Sequence, residues 1–241
     1  MRERGQSDVL GFVFVFAIIV SAIGLVFTTG FAGLQDTRDF ERVNNAERAL
    51  EVFKDNMDDM LFRGAPSRGT EIKLADASLE LGDPITVKVN EDGGTFNTSQ
   101  EIRPIVFDGG TNARIVYAAG AIIRQQGDDA VVLHESNLLL SGNRTLIPII
   151  QVRQDGTSGI SGDTTVLIRT VVSQRNVLYT NDDSAVTLWV NITTPRAGAW
   201  RDSLSDRADV TCEPVVDDTV ACQVTTDRAY VTRISLDVAL T

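Results

Sequence analysis

The sequence predicts an α+β protein: a long amino-terminal transmembrane and amphipathic helix, then an antiparallel β-sandwich-like or rolled-sheet head. Three observations predict this. No residue between Val9 and Gln35 is charged. Val43, Ala46, Leu50, Phe53, Met57 and Met60 then recur at alternating spacings of three and four. From residue 70 onward, short runs rich in Val, Ile and Thr alternate with turns rich in Gly, Asn and Asp.

The uncharged run comes first. A helix over it would be about 40 Å long at ~1.5 Å per residue, enough to cross a hydrocarbon layer of ~30 Å. Arg2 and Arg4 precede it, and a positive short flank predicts a cytoplasmic amino terminus and an exterior carboxy-terminal domain. A cleaved secretion signal has a shorter apolar core followed by a small-x-small site. "GLVFTTGFAG" (24–33) offers such a site, but the run is long and no cluster of breakers separates it from the next helical segment. Ala17, Ser21, Gly24 and Thr28, spaced 4, 3, 4, form a small-residue stripe along which another helix can approach closely.

The segment 36–63, "DTRDFERVNNAERALEVFKDNMDDMLFR", carries the 3,4 stripe on one face and charges elsewhere, the pattern of a helix packed on its own domain. Gly64, Pro66 and Gly69 end it. Residues 9–62 are therefore expected to form one nearly continuous helix, with Gly30–Gly33 its weakest point.

Residues 70–241 are expected to be the extracellular β-rich domain. The runs 71–81, 84–89, 102–107, 113–124, 130–135, 145–152, 164–173, 185–193, 209–215, 220–226 and 230–240 read as strands, about eleven in all. "TPRAGAWRDSLSDR" (194–207) reads as a short helix with Trp200 and Leu204 on one face. Cys212 and Cys222 flank an Asp-Asp-Thr turn, and a disulfide between them would close a hairpin in an oxidising compartment. Asn97, Asn143 and Asn191 each begin an Asn-x-Ser/Thr sequon, so all three are glycosylation candidates expected in or beside exposed turns.

Composition narrows the function classes. The net charge is −11, which argues against nucleic acid as a partner, because phosphates need clustered Lys and Arg. The chain has 23 Asp and 10 Glu against 19 Arg and 3 Lys, a bias that suits a surface hydrated in strong salt. The one histidine, His134, lies mid-strand. No nucleophile elbow, phosphate-cradling loop or histidine metal motif accompanies it, so no enzyme, metal or cofactor is expected. Asp128-Asp129, Asp182-Asp183 and Asp217-Asp218 lack the spacing of a calcium loop and read as solvated turns.

The amino-terminal quarter of the chain supplies a resemblance. "RERGQSD" followed by the apolar helix and then the amphipathic one resembles type IV pilin-like proteins, most of all those of haloarchaea. The resemblance implies that residues 1–5 are a cytoplasmic leader, cut between Gly5 and Gln6 by a prepilin-type peptidase, and that 6–35 is the transmembrane helix retained on the mature chain. It implies partners too: membrane lipid, the peptidase, and other pilin-like subunits packed along the helix. Asp8 is then the early acid that pairs with a neighbour's amino terminus; Leu10 stands where bacterial pilins usually carry glutamate. The implied role is a structural subunit or accessory of a type IV pilus-like filament or adhesion system on the cell surface. The alternative is a secreted or membrane-tethered binding module with no filament role.

Overall fold

A computed structural model describes the backbone of residues 4–110 and 112–241, and the side chains of residues 9–241 apart from 32, 36 and 111. The chain divides into two compact units, one ending at Glu41 and the other spanning Arg42–Thr241. A single α-helix, α1, spans Arg4–Phe62. It runs unbroken through Gly30 and Gly33, so those glycines do not act as a hinge here. It ends at Gly64, whose φ of 75° is open to a residue without Cβ, and the N–H groups of Arg63 and Ala65 both donate to the Asp59 carbonyl.

The strands follow. They are β1 (Ser67–Lys73), β2 (Ala77–Leu81), β3 (Ile85–Glu91), β4 (Asn97–Ile102), β5 (Ile105–Asp108), β6 (Ala113–Ala118), β7 (Ala121–Gln126) and β8 (Asp129–His134). Next come β9 (Thr145–Gln154), β10 (Gly159–Gly162), β11 (Thr165–Asn181) and β12 (Val186–Thr193). A short helix, α2 (Ala197–Ser205), precedes β13 (Val210–Cys212), β14 (Thr219–Thr226) and β15 (Ala229–Leu240). They form three sheets: β1-β11-β15-β9, then β10-β2-β5-β6-β7-β8, then β13-β14-β12-β3-β4. Every pairing is antiparallel except β15 with β9.

Two runs that read as single strands are two elements each. "ARIVYAAGAIIR" folds back on itself, because Ala119 and Gly120 both take positive φ (47° and 85°) in the two-residue loop between β6 and β7. A Cβ on Gly120 would fall 2.5 Å from the Asn137 side chain, so glycine is also required there for space. The run 71–81 breaks at Ala75 and Asp76, again at positive φ. β11 runs on to Asn181, past the run read to residue 173, with bulges opposite β15.

The core of the 42–241 unit has two parts. In the first, Val43, Ala46, Leu50, Phe53, Met57 and Met60 of α1 are all buried together with side chains from β9, β11 and β15 and from β2, β5 and β6. The 3,4 stripe is thus the helix face that packs on its own domain. The second core joins the inner face of the β13–β4 sheet to α2 and to the opposite faces of β6, β7, β9 and β15. β6 accordingly buries Ile115 and Tyr117 in one core and Val116 and Ala118 in the other. Strands buried on both faces cannot alternate polar with apolar, which is why "IVYA" and "LIPII" are continuous apolar runs.

Phe53 is fully buried and meets Tyr117 edge-to-face at 5.0 Å between ring centroids. Phe53→Ala is expected to lower stability by about 3–5 kcal/mol, read from urea unfolding of the full chain in detergent. The end of α1 is tied to β1 through Asp59. Its carboxylate accepts from Arg68 (2.9 Å) and Arg63 (2.7 Å). The Arg68 hydrogen bond is the largest influence on this partly exposed carboxyl; desolvation, next in size, opposes it, and the Arg63 and Arg68 charges help to hold it below its ordinary value of 3.8. A depressed carboxyl stabilises the fold above its unfolded pKa and loses that contribution as pH falls through the folded one. Arg68→Ala is therefore expected to lower the urea midpoint at about pH 6–7, with the gap to wild type closing below about pH 4. Equal gaps at both pH values would contradict this coupling.

Candidate functional site

The amino-terminal half of α1 is a candidate membrane span by length and composition. It is the helix long and apolar enough to cross a membrane among the described residues. Phe12, Phe14, Phe16, Ile18, Phe27 and Phe31 are all exposed. Its hydroxyls turn inward on the helix: Thr28 Oγ1 donates to the Gly24 carbonyl at 3.0 Å and Thr29 Oγ1 to that of Leu25 at 2.8 Å. In hydrocarbon this internal pairing matters, since no water is present to satisfy a polar group. No atom outside the helix's own backbone comes within 4 Å of a Cβ built on Gly24, so the small-residue stripe stands open along its length. The Gly5–Gln6 bond lies inside α1; the side chains of Gln6 and Asp8 are outside the described residues.

Further along, a polar row on α1 meets the β-rich unit. Glu51 lies 2.8 Å from Nε2 of His134, at the end of β8. Asn137 donates to Asp58 at 2.7 Å, and Asp58 accepts from Lys54 at 3.2 Å. Glu47 faces Arg124 of β7 at 3.9 Å. His134 thus serves as a helix-to-strand contact, and among the described residues no serine or cysteine is bonded to it. Beneath this row, burial and then the Asp58 charge push the Tyr117 phenol far above its ordinary range, so it stays neutral. Glu51, Asp58 and Asn137 carry little signal in the sequence, because an acid beside an apolar stripe looks like any solvated helix position.

Among the described residues no group of three His, Cys, Asp or Glu is placed to hold a metal ion. Of the acidic pairs, Asp182 accepts from the Tyr230 hydroxyl. Asp217 and Asp218, at φ of 49° and 55°, form the two-residue turn between Val216 and Thr219.

That turn leads to the two cysteines. Cys212 and Cys222 lie directly opposite on β13 and β14, their Cα atoms 4.0 Å apart, and are disulfide-bonded. Replacing both with serine is expected to cost about 2–3 kcal/mol by the loop-entropy relation; a thiol titration of unreduced wild-type protein checks the premise and should find no free thiol.

The sequons fall into different settings. Asn97 opens the edge strand β4 and is exposed, as is Ser99 two residues on. Asn143 is exposed in the turn before β9, although its partner Thr145 is buried and bonded to the Ser141 carbonyl. Asn191 corrects the expectation of an exposed turn. It lies inside β12, between β14 and β3, with its Oδ1 buried and unpartnered.

A family of unknown function, DUF7289, matches residues 4–239, and the chain belongs to that family. No curated protein and no solved structure matches the chain.

Proposed function

We propose that this family member is a membrane-anchored, pilin-like surface protein: a structural subunit or accessory of a type IV pilus-like filament or adhesion system of a haloarchaeal cell. One observation carries the reading. The uncharged segment and the stripe that fills the first core belong to the same helix, Arg4–Phe62. Removing 9–35 as a secretion signal would cut a helix whose other half is core, whereas cutting before it, at Gly5–Gln6, leaves that helix whole. In this reading Gln6 opens the mature chain, and Asp8 is the early acid that pairs with a neighbour's amino terminus. Arg2 and Arg4 stay on the cytoplasmic side and the β-rich unit lies outside. The disulfide and the exposed sequons at Asn97 and Asn143 suit an exterior domain. The scarcity of lysine and the excess of aspartate suit a surface bathed in concentrated salt.

The mass of the mature amino terminus in the native host tests this. Gln6 is the expected first residue, and replacing Gly5 with a bulky residue should leave insertion intact while abolishing the cut and any filament. Insertion depends on apolar length, which that change leaves alone, but an uncut chain would bring Arg2 and Arg4 into an apolar filament core. An intact Met1 on functional surface protein would make it a plain tethered module. A start beyond residue 30 would make it a secreted one.

A further inference from the structure

We propose that the free edge of β8 is a docking site for an extended segment of a partner protein, one that alternates basic with aliphatic residues and adds to the six-stranded sheet as a further strand. This goes beyond the anchored reading and does not depend on it.

The three sheets have six edge strands. An edge presents unpaired N–H and C=O groups that invite another chain unless something guards them. Five of the six are guarded. β1 carries Arg68, Glu71 and Lys73, and β9 contains Pro148 and is bridged at Leu146 by Leu139. β10 has four residues with a glycine at each end, and β13 has three and is tied by the disulfide. β4 is polar from Asn97 to Glu101, and the Gln151 amide reaches its Glu101 carbonyl at 3.5 Å. β8 differs. Between Asp129 and His134 it runs Ala130, Val131, Val132, Leu133, with no proline, glycine or charge among the four. Its one register shift falls beyond Val132, so the pairing with β7 is regular from Asp129 to Val132. In an antiparallel ladder every second residue turns its N–H and C=O away from the partner strand. Among the described residues, no other strand, loop or side chain bonds those groups on β8.

Space and charge lie beside this edge. Ala130 and Val132 pack on the second core, which includes Ala199 and Trp200 of α2. A groove of about 270 Å³ lies between residues 130–133 and Ala199, Asp202 and Asp206 of α2. Glu135 also lines it, and no basic residue does. Glu135 is held by Arg207 at 3.1 Å, whereas Asp202 and Asp206 have no basic partner among the described residues. A second groove, of about 170 Å³, is lined by Val131 with Arg124, Gln126 and Asp129. Val131 is 55% exposed there, and Arg124 faces Glu47 at 3.9 Å.

These neighbours select the occupant. Donors and acceptors at strand spacing match the backbone of an extended chain; a helix has already spent its own, and a lipid surface has no such row. Side chains of an added strand alternate between the two faces. Those turned toward α2 meet Asp202 and Asp206, which favours lysine or arginine. Those on the other face lie beside Val131, which favours an aliphatic side chain. A second copy fits less well, because β8 laid on β8 brings the same acids together on two chains of net charge −11.

The test uses the full chain in phosphatidylcholine nanodiscs, with empty nanodiscs as the blank. The probe is a synthetic peptide about eight residues long, alternating lysine with valine and N-methylated along one edge so that it does not stack on itself. Calorimetry reads its affinity, and hydrogen exchange reads which amides it covers. The peptide should bind, should slow exchange in residues 130–133 more than in any other segment, and should lose affinity at least about fivefold between about 0.1 M and about 1 M salt. A glutamate–valine peptide, and the lysine–valine peptide N-methylated on both edges, should each bind at least about tenfold more weakly. Val131→Lys, at an exposed position, should weaken binding by a similar factor at unchanged melting temperature. Asp202→Asn combined with Asp206→Asn should remove most of the salt dependence. Absence of binding, or binding that the doubly methylated peptide retains and that leaves β8 unprotected, overturns the proposal. Self-association of the chain that is lost in Val131→Lys while no peptide binds also overturns it and assigns the edge to a second copy.

Discussion

Burial of the α1 stripe is the constraint on which the β-rich unit depends. Six side chains, from Val43 to Met60, are buried in one core with residues of both the four-stranded and the six-stranded sheet. Neither sheet closes on itself. The four-stranded sheet has β1 and β9 at its edges, and the six-stranded one has β10 and β8. Sheets of this kind are stable only when both apolar faces are covered. The helix covers one face of each, and the second core, with α2 and the third sheet, covers the other. Polar contacts along α1, from Glu51 with His134 to Asp58 with Asn137, add orientation more than energy. Pairs this exposed contribute at most about 1 kcal/mol each.

The helix was legible in the sequence because a 3,4 repeat sustained from Val43 to Met60 matches the helical period and neither the period of a strand nor the irregularity of a loop. Every member of the stripe is buried as that repeat requires. Strand content was legible for the same kind of reason. Strand number was not. The turn at Ala119–Gly120 hides inside a run of small apolar residues, and its positive φ leaves no polar signature. Sheet membership was less legible still. β9 and β15 pair in parallel although they lie far apart along the chain, and nothing local in "TLIPIIQV" announces a parallel neighbour. Such pairing is fixed by the two cores jointly, a tertiary effect that local propensity cannot carry.

The site was legible in part. Two cysteines around a tight acidic turn pointed to a cross-strand bond, because strand pairing brings such positions face to face, and it did so at Cys212 and Cys222. The sequon at Asn191 was misplaced because a motif of three residues says nothing about whether they fall in a turn or inside a central strand. The outward side of Trp189 gave no signal for a related reason. The alternation in "VTLWVNIT" separates two faces, but large aromatic residues are usually core, so the buried side was the natural place for the indole. Only the burial of Leu188 and Val190 decides that Trp189 points outward.

The layering then gives the outer face of the third sheet its character. Most strands of the other two sheets contribute side chains to a core, and several contribute to both. β12 and β3 lie in the middle of their sheet and bury one face only. Residues on their other face must keep strand geometry without an apolar partner above them. Threonine does this well, since its branched Cβ suits a strand and its hydroxyl suits water. Thr86, Thr187, Thr193, Thr219 and Thr225 fit that demand fully. A tryptophan does not: solvation leaves part of its large apolar ring exposed, and threonine would serve the strand equally well at less cost. Trp189, between Gln223 and Asn90, is therefore a member of the face whose large ring the strand itself does not require.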